Sequence, residues 1–96
     1  MLVLITYDVN TEDAQGKRRL RRVAKKCVAH GQRVQNSVFE CSVDAGQLRL
    51  LQAELAQLIN PEKDSLRFYM LGNHYQSKIQ HIGARPSYQP DDVLMV

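Results

Sequence analysis

The sequence predicts an α+β fold of the ferredoxin-like kind, a βαββαβ sandwich with an extra short strand near the C-terminus. Three observations lead there. Along 96 residues the apolar pattern switches between strand and helix periods in the order strand, helix, two strands, helix, strand, which is the order of the split βαβ arrangement. Both helical stretches carry an apolar stripe, so each can cover a sheet from one side. The first and last main strands are apolar on both faces, so the uncovered side of the sheet also needs a neighbour. With no third helix to supply it, the economical cover is a second copy of the chain, and a sheet-to-sheet homodimer is expected.

The first strand comes from Met1–Val9, and no targeting segment is expected ahead of it. Val3, Ile5 and Tyr7 alternate with Leu2, Leu4 and Thr6, the pattern of a strand buried on both faces. One carboxylate, Asp8, stands where this run gives out. Val9–Asp13 is polar and acidic, suited to a loop that caps the following helix. That helix is expected from about Ala14 to Ala29, with Leu20, Val23, Ala24 and Cys27 on one arc. His30-Gly31 closes it, the glycine being expected to take the left-handed C-terminal conformation. Gln32–Gln35 and Val38–Val43 read as short strands around Asn36-Ser37.

Asp44, with Gln47 three residues later, marks a capping box. Leu48, Leu51, Leu55, Leu58 and Ile59 stripe the second helix, which is read as structural and ends at Asn60-Pro61. Leu66–Leu71 is a strong strand signal, and Lys78–Ile82 a further short one. The folded domain is therefore placed at residues 1–83. Residues 84–96 read as an extended or mobile tail, and its apolar end, Val93–Val96, is expected to dock on a partner, extend a strand or fray.

With 44% hydrophobic and 24% charged residues, this is an ordinary soluble globular composition. No apolar run nears the ~20 residues of a membrane span, and no signal-peptide pattern is present, so a cytoplasmic protein is expected. Cys27 and Cys41 lack metal-site spacing and read as reduced, buried small hydrophobes. The net charge of +3 is unevenly spread: seven of the 13 Lys and Arg residues lie between Gln15 and Lys26, where there is no acid. The rest of the chain holds six basic and ten acidic residues. Lys17, Arg18, Arg21, Arg22 and Lys25 spread over the helix face opposite the apolar arc. Like charges at i,i+4, such as Arg18 with Arg22 and Arg21 with Lys25, destabilise a free helix. A face that accepts this cost is expected to meet phosphate.

Asp8 admits two readings from the residues alone. It can cap a loop at the rim of the sheet. Alternatively, because a residue near a two-fold axis occurs twice, two Asp8 carboxylates can share a cation. Mg²⁺ suits such a pair, since it takes one or two carboxylates and fills its octahedron with waters and phosphate oxygens. His30, His74 and His81 are scattered and read as surface or packing residues, and no spacing pairs a His with an Asp or a Cys.

The strand ending in Tyr7-Asp8-Val9, the basic first helix, the stretch Arg33–Glu40 (RVQNSVFE) and Leu66-Arg67-Phe68-Tyr69 together resemble the CRISPR-associated protein two family. The ending Leu71-Gly72-Asn73, Lys78-Ile79, His81-Ile82-Gly83 is most similar to its subtype I-C branch. The resemblance covers residues 1–83. It implies a ferredoxin-like homodimer of CRISPR spacer acquisition that bridges copies of the Cas-one integrase and supports duplex DNA on its basic surface. It also implies Mg²⁺-dependent nuclease activity, on single-stranded RNA in some members and double-stranded DNA in others. Asp8 matches the metal-binding aspartate shared between protomers. Tyr7, Arg33 and Phe39 match positions near the proposed active site, as does Arg19, although the loop after Asp8 is longer than in many relatives. The late strand, Lys78–Ile82, is implied to cross onto the partner's sheet.

Beside this reading stand a structural DNA-binding adaptor without nuclease activity and a small-ligand regulatory domain on the same fold. Fold alone does not choose among the three.

Overall fold

The computed structural model describes residues 1–83. In chain order it contains β1 (Leu2–Asp8), α1 (Ala14–His30), β2 (Gly31–Gln35), β3 (Val38–Ser42), α2 (Ala45–Leu58), β4 (Ser65–Gly72) and a one-turn 3₁₀ helix (Tyr75–Lys78). The four strands form one antiparallel sheet in the order β2-β3-β1-β4. Both helices pack on one face of it, which is the expected ferredoxin-like arrangement.

Alternation along β1 decides what lies on each face. Val3, Ile5 and Tyr7 point under the helices and join Phe39 and Cys41 of β3, Val23 and Cys27 of α1, and Leu48, Leu51 and Leu55 of α2 in one core. Ile5 pairs with Phe39 on one side and Phe68 on the other, so the three stack across the middle of the sheet. Complete burial of side chains of this size stabilises by roughly 1.5–3 kcal/mol each. Leu4, Thr6 and Asp8 turn to the opposite face, which neither helix covers, while Leu2, before the register shift, is fully buried.

The helix starts follow the local chemistry. Asp13 caps α1, its carboxylate accepting from the Gly16 N–H at 2.7 Å. Asp44 accepts from the Gln47 N–H at 2.7 Å while the Gln47 side chain accepts from the Asp44 N–H at 2.9 Å, completing the capping box. Among the described residues no helix is long and apolar enough to cross a membrane.

Two local expectations are corrected. Gly31 is not a left-handed helix cap: its φ of −164° and ψ of −163° are extended, and it is the first residue of β2. Glycine is needed there for close approach, since a Cβ would run into the Glu40 carbonyl oxygen and the Cys41 sulfur. Positive φ falls instead on Gly72, at +78° where the chain turns out of β4, and on Gly83, at +141°.

The second correction concerns Lys78–Ile82, which forms no strand in the single chain. Lys78 ends the 3₁₀ turn and its ammonium donates to the Leu71 carbonyl at 2.9 Å. Residues 79–83 pair with no strand among the described residues. An extended segment becomes a strand only when another edge takes up its backbone groups. The expectations for the tail, residues 84–96, lie outside the described residues.

Candidate functional site

Asp8 occupies the last position of β1 and pairs in register with Ser65, the first residue of β4. The next same-face pairs inward are Thr6 with Arg67 and Leu4 with Tyr69. A cleft of about 280 Å³ opens here, lined by Thr6, Tyr7, Asp8, Ser65, Arg67 and Tyr69. Asp8 is exposed, and neither it nor Arg67 belongs to an ion pair among the described residues. The Arg67 guanidinium donates instead to the Tyr69 hydroxyl, Nη1 to Oη, at 3.2 Å. The cleft therefore offers one carboxylate, one cation and the hydroxyls of Thr6, Ser65 and Tyr69 on an open sheet face, while the Tyr7 hydroxyl is turned away to the Asn36 carbonyl.

Tyr7 and Asp8 are neighbours in sequence, but their side chains leave the strand on opposite faces. Under the helices the Tyr7 ring stacks on Phe39, with centroids 6.1 Å apart and planes 20° from parallel. The Arg33 guanidinium lies over the Phe39 ring, 5.0 Å from its centroid. Tyr7 Oη and Arg33 Nη1 both donate to the Asn36 carbonyl, at 3.2 and 2.9 Å. Burial pushes the Tyr7 phenol above its ordinary value and Cys27 adds to this, while the Arg33 charge and the Ser37 hydroxyl pull it back. Phe39 is fully buried and Tyr7 nearly so, at 0% and 5% exposure. Tyr7, Arg33 and Phe39 thus form one cluster that braces the β2–β3 turn against β1, with Asp8 across the sheet from it.

Arg19 stands at a third place. Its Nε donates to Asp64 Oδ2 at 2.7 Å and its Nη2 to Asp64 Oδ1 at 3.3 Å. The Asp64 carboxylate has no exposed surface and also accepts from the Asn10 and Asn60 N–H groups at 3.0 and 2.8 Å. Burial alone would raise the Asp64 pKa, but the Arg19 hydrogen bond and the two backbone donors outweigh it and hold the acid below its ordinary value. This clamp joins α1, the loop after Asp8 and the turn into β4. In the sequence Asp64 stands out only as a strand boundary, and no spacing signal links it to Arg19, 45 residues away.

On α1, Lys17, Arg18, Arg21, Arg22 and Lys25 are all exposed and belong to no ion pair among the described residues. The two basic residues at the edge of that face are withdrawn from it. Arg19 is bound to Asp64, and Lys26 bridges to Glu54 of α2 at 2.8 Å. What remains is a five-cation stripe on the layer opposite the Asp8 cleft.

The donor set near Asp8 is oxygen-rich, which suits a hard divalent cation. One chain alone supplies a single carboxylate: no group of three or more His, Cys, Asp or Glu gathers among the described residues. A metal fits here when a second carboxylate, such as that of another copy's Asp8, completes the set.

Comparison with known proteins agrees with this architecture. Residues 1–79 match the family model described as CRISPR associated protein Cas2. The chain is 61% identical over 95 residues to the CRISPR-associated endonuclease Cas2 of Halalkalibacterium halodurans, covering 99% of each chain. It is 53% identical over 96 residues to the CRISPR-associated endoribonuclease Cas2 of Nitratidesulfovibrio vulgaris, covering 100% of this chain and 94% of the relative. The crystal structure of Streptococcus pyogenes Cas2 at pH 6.5 superposes with a TM-score of 0.76 at 53% identity, covering 86% of this chain and 100% of that one. From its strand order, its length and these matches, the chain belongs to the CRISPR-associated protein Cas2 family.

Proposed function

We propose that the chain works as a homodimer that binds nucleic acid in CRISPR spacer acquisition and cleaves phosphodiesters with Mg²⁺ held by Asp8. The observation that carries this reading is the exposed, unpaired Asp8 carboxylate at a polar cleft, on the sheet face that no helix covers. Two copies packed through that face bring two Asp8 carboxylates toward one axis. The chemistry supplied by bound Mg²⁺ is polarisation of a phosphate oxygen and acidification of a coordinated water. Asp8 would hold the ion, and the cleft hydroxyls of Thr6 and Ser65 would be placed to hydrogen-bond the substrate beside it. Tyr7, Arg33 and Phe39 hold the strand end rigid from beneath, and Arg19 fixes the loop after Asp8 through Asp64.

The five cations of α1 bind duplex backbone. They serve the Cas-one integrase complex, in a protein of the subtype I-C branch acting in the cytoplasm. The relatives' names divide between endonuclease and endoribonuclease, so RNA and DNA are both substrates to test. A second reading, an adaptor without physiological cleavage, is favoured by the lack of a gathered acid or histidine cluster among the described residues. A Mg²⁺ titration with single-stranded RNA and duplex DNA on wild type and Asp8→Asn separates the two. Cleavage that disappears in Asp8→Asn, with dimer mass and nucleic-acid affinity retained, supports the nuclease. Equal rates in both proteins refute it.

A further inference from the structure

Asp8 belongs to no ion pair among the described residues, so the backbone on either side sets the place of its carboxylate. One buried acid ties that backbone down. Asp64 immediately precedes Ser65, the strand partner of Asp8, and its Oδ1 accepts from the N–H of Asn10, two residues beyond Asp8, at 3.0 Å. We infer that Asp64 is a positioning residue for Asp8, and that Arg19 serves the reaction through Asp64 and not by meeting phosphate.

Three features carry this. First, the Asp8–Ser65 strand pair and the Asn10 bond close a small ring made of Asp8, Val9, Asn10, Asp64 and Ser65. A shift of Asp8 out of the sheet has to open that ring. Second, the ring is fixed from outside. Asp64 Oδ2 accepts from the Arg19 Nε at 2.7 Å and the Asn60 N–H at 2.8 Å, and the Asp64 N–H donates to the Asn60 carbonyl at 2.8 Å. The first turn of α1 lies directly on the loop: a Cβ at Gly16 would run into the Asn10 carbonyl oxygen, and Arg19 follows one turn further on. Third, Arg19 grips Asp64 through two nitrogens and its side chain is only 16% exposed. Withdrawing it would leave a buried carboxylate without its counter-charge, so the guanidinium is not available to a phosphate. Groups that stand behind a metal ligand orient it, and losing one typically lowers metal affinity or activity by roughly ten- to hundredfold.

This inference rests on the reading of Asp8 as a Mg²⁺ ligand, and the experiment separates the two. Wild type, Asp8→Asn, Asp64→Asn, Arg19→Gln and Arg19→Lys are compared as folded dimers. Glu54→Gln is the control, because it breaks the Lys26–Glu54 pair of α1 without touching the loop. Mg²⁺ uptake is followed by calorimetry without nucleic acid, and cleavage is measured across Mg²⁺ concentrations. Binding to duplex DNA and single-stranded RNA is titrated without metal at several salt concentrations.

Asp64→Asn and Arg19→Gln are expected to weaken Mg²⁺ uptake on the order of tenfold and to raise the half-saturating Mg²⁺ for cleavage by the same factor. Arg19→Lys should shift both less, and Glu54→Gln neither. A fraction of unfolded protein lowers the maximal rate but does not move half-saturation, so a merely structural role predicts no such shift. Once Asp8 is replaced, adding Arg19→Gln should change Mg²⁺ uptake no further. Metal-free salt slopes should keep the wild-type value in the Asp64 and Arg19 variants. A phosphate contact by Arg19 would instead lower the slope of Arg19→Gln by about 0.9 on duplex or about 0.7 on single strands. Wild-type Mg²⁺ uptake in Arg19→Gln would overturn the inference, and so would a lowered slope, which would return Arg19 to the phosphate. If Asp64→Asn does not fold, the two Arg19 variants decide alone. Uptake and cleavage that are the same in wild type and Asp8→Asn would refute the metal reading of Asp8 and the inference with it. Dependence on Asp8 without dependence on Arg19 or Asp64 refutes the inference only.

Discussion

Replacing Arg18, Arg21, Arg22 and Lys25 together with Ala tests the α1 stripe, and its effect can be worked out from the helix. From Arg18 to Lys25 is seven steps, roughly 10 Å at about 1.5 Å per residue. At about 3.4 Å per phosphate along one strand, that length meets about three phosphates. Each neutralised phosphate contributes about 0.9 to the duplex salt slope, so the variant's slope should be smaller by about 2.7 per protomer. Between 50 and 200 mM salt, wild-type affinity should then fall about 40-fold further than the variant's for each protomer whose stripe is engaged. The fold should survive: all four side chains are exposed and outside any ion pair among the described residues. Ala is the best helix former, and the like-charge i,i+4 pairs Lys17–Arg21, Arg18–Arg22, Arg21–Lys25 and Arg22–Lys26 are relieved, so the unfolding midpoint should hold or rise. Fluorescence anisotropy of a labelled duplex across that salt range reads the slope directly. An unchanged slope in a folded dimer would refute the assignment of these cations to phosphate, and a change confined to one DNA sequence would refute backbone binding.

Other outcomes follow from the clamp, the core and the thiols. Asp64 has a lowered folded-state pKa, so its contribution is present above the unfolded carboxylate value of about 3.9 and is lost as pH falls through the folded value. Asp64→Asn should therefore lower stability near neutrality and flatten the acid limb of a urea-unfolding profile; a variant with the wild-type limb would show that Asp64 does not carry it. Phe39→Ala should cost about 3–5 kcal/mol, because Phe39 is fully buried between Tyr7, Arg33 and Ile5. A destabilisation below about 1 kcal/mol in chemical denaturation would mean that the cavity collapses freely. Burial raises Cys27 to about 12 and Cys41 to about 11, so neither thiol should react with a thiol reagent at pH 8 until the protein unfolds. Rapid labelling of the native protein would contradict this.

What could be read in the sequence was what depends on near neighbours. The Asp44–Gln47 capping box, the α1 stripe and the alternation of β1 all follow from residues a few positions apart, and the structure has each. The Gly31 geometry could not be read, because it answers to Glu40 and Cys41 on a neighbouring strand. Nor could the Arg19–Asp64 clamp, whose halves are far apart in the chain. Lys78–Ile82 has a strand-like pattern, but pattern does not supply the second edge a strand requires. The Asp8 cleft is an intermediate case. Alternation alone separates Tyr7 from Asp8, but finding Arg67 also needs the antiparallel register that sets β4 beside β1.

That register makes the length of β1 a matter of chemistry. β1 and β4 run in unbroken register from Val3–Met70 to Asp8–Ser65, and their one irregularity falls between Leu2 and Val3, at the end far from the cleft. A strand's side chains reverse faces with every one-residue slip. Inserting or deleting a residue between Val3 and Asp8 would push a carboxylate under the helices and swing the Tyr7 phenol into the open cleft, whereas the irregular end has slack to absorb the same change. Scanning single-residue insertions along this strand should therefore give a sharp polarity in tolerance, mild at Leu2 and severe from Ile5 onward.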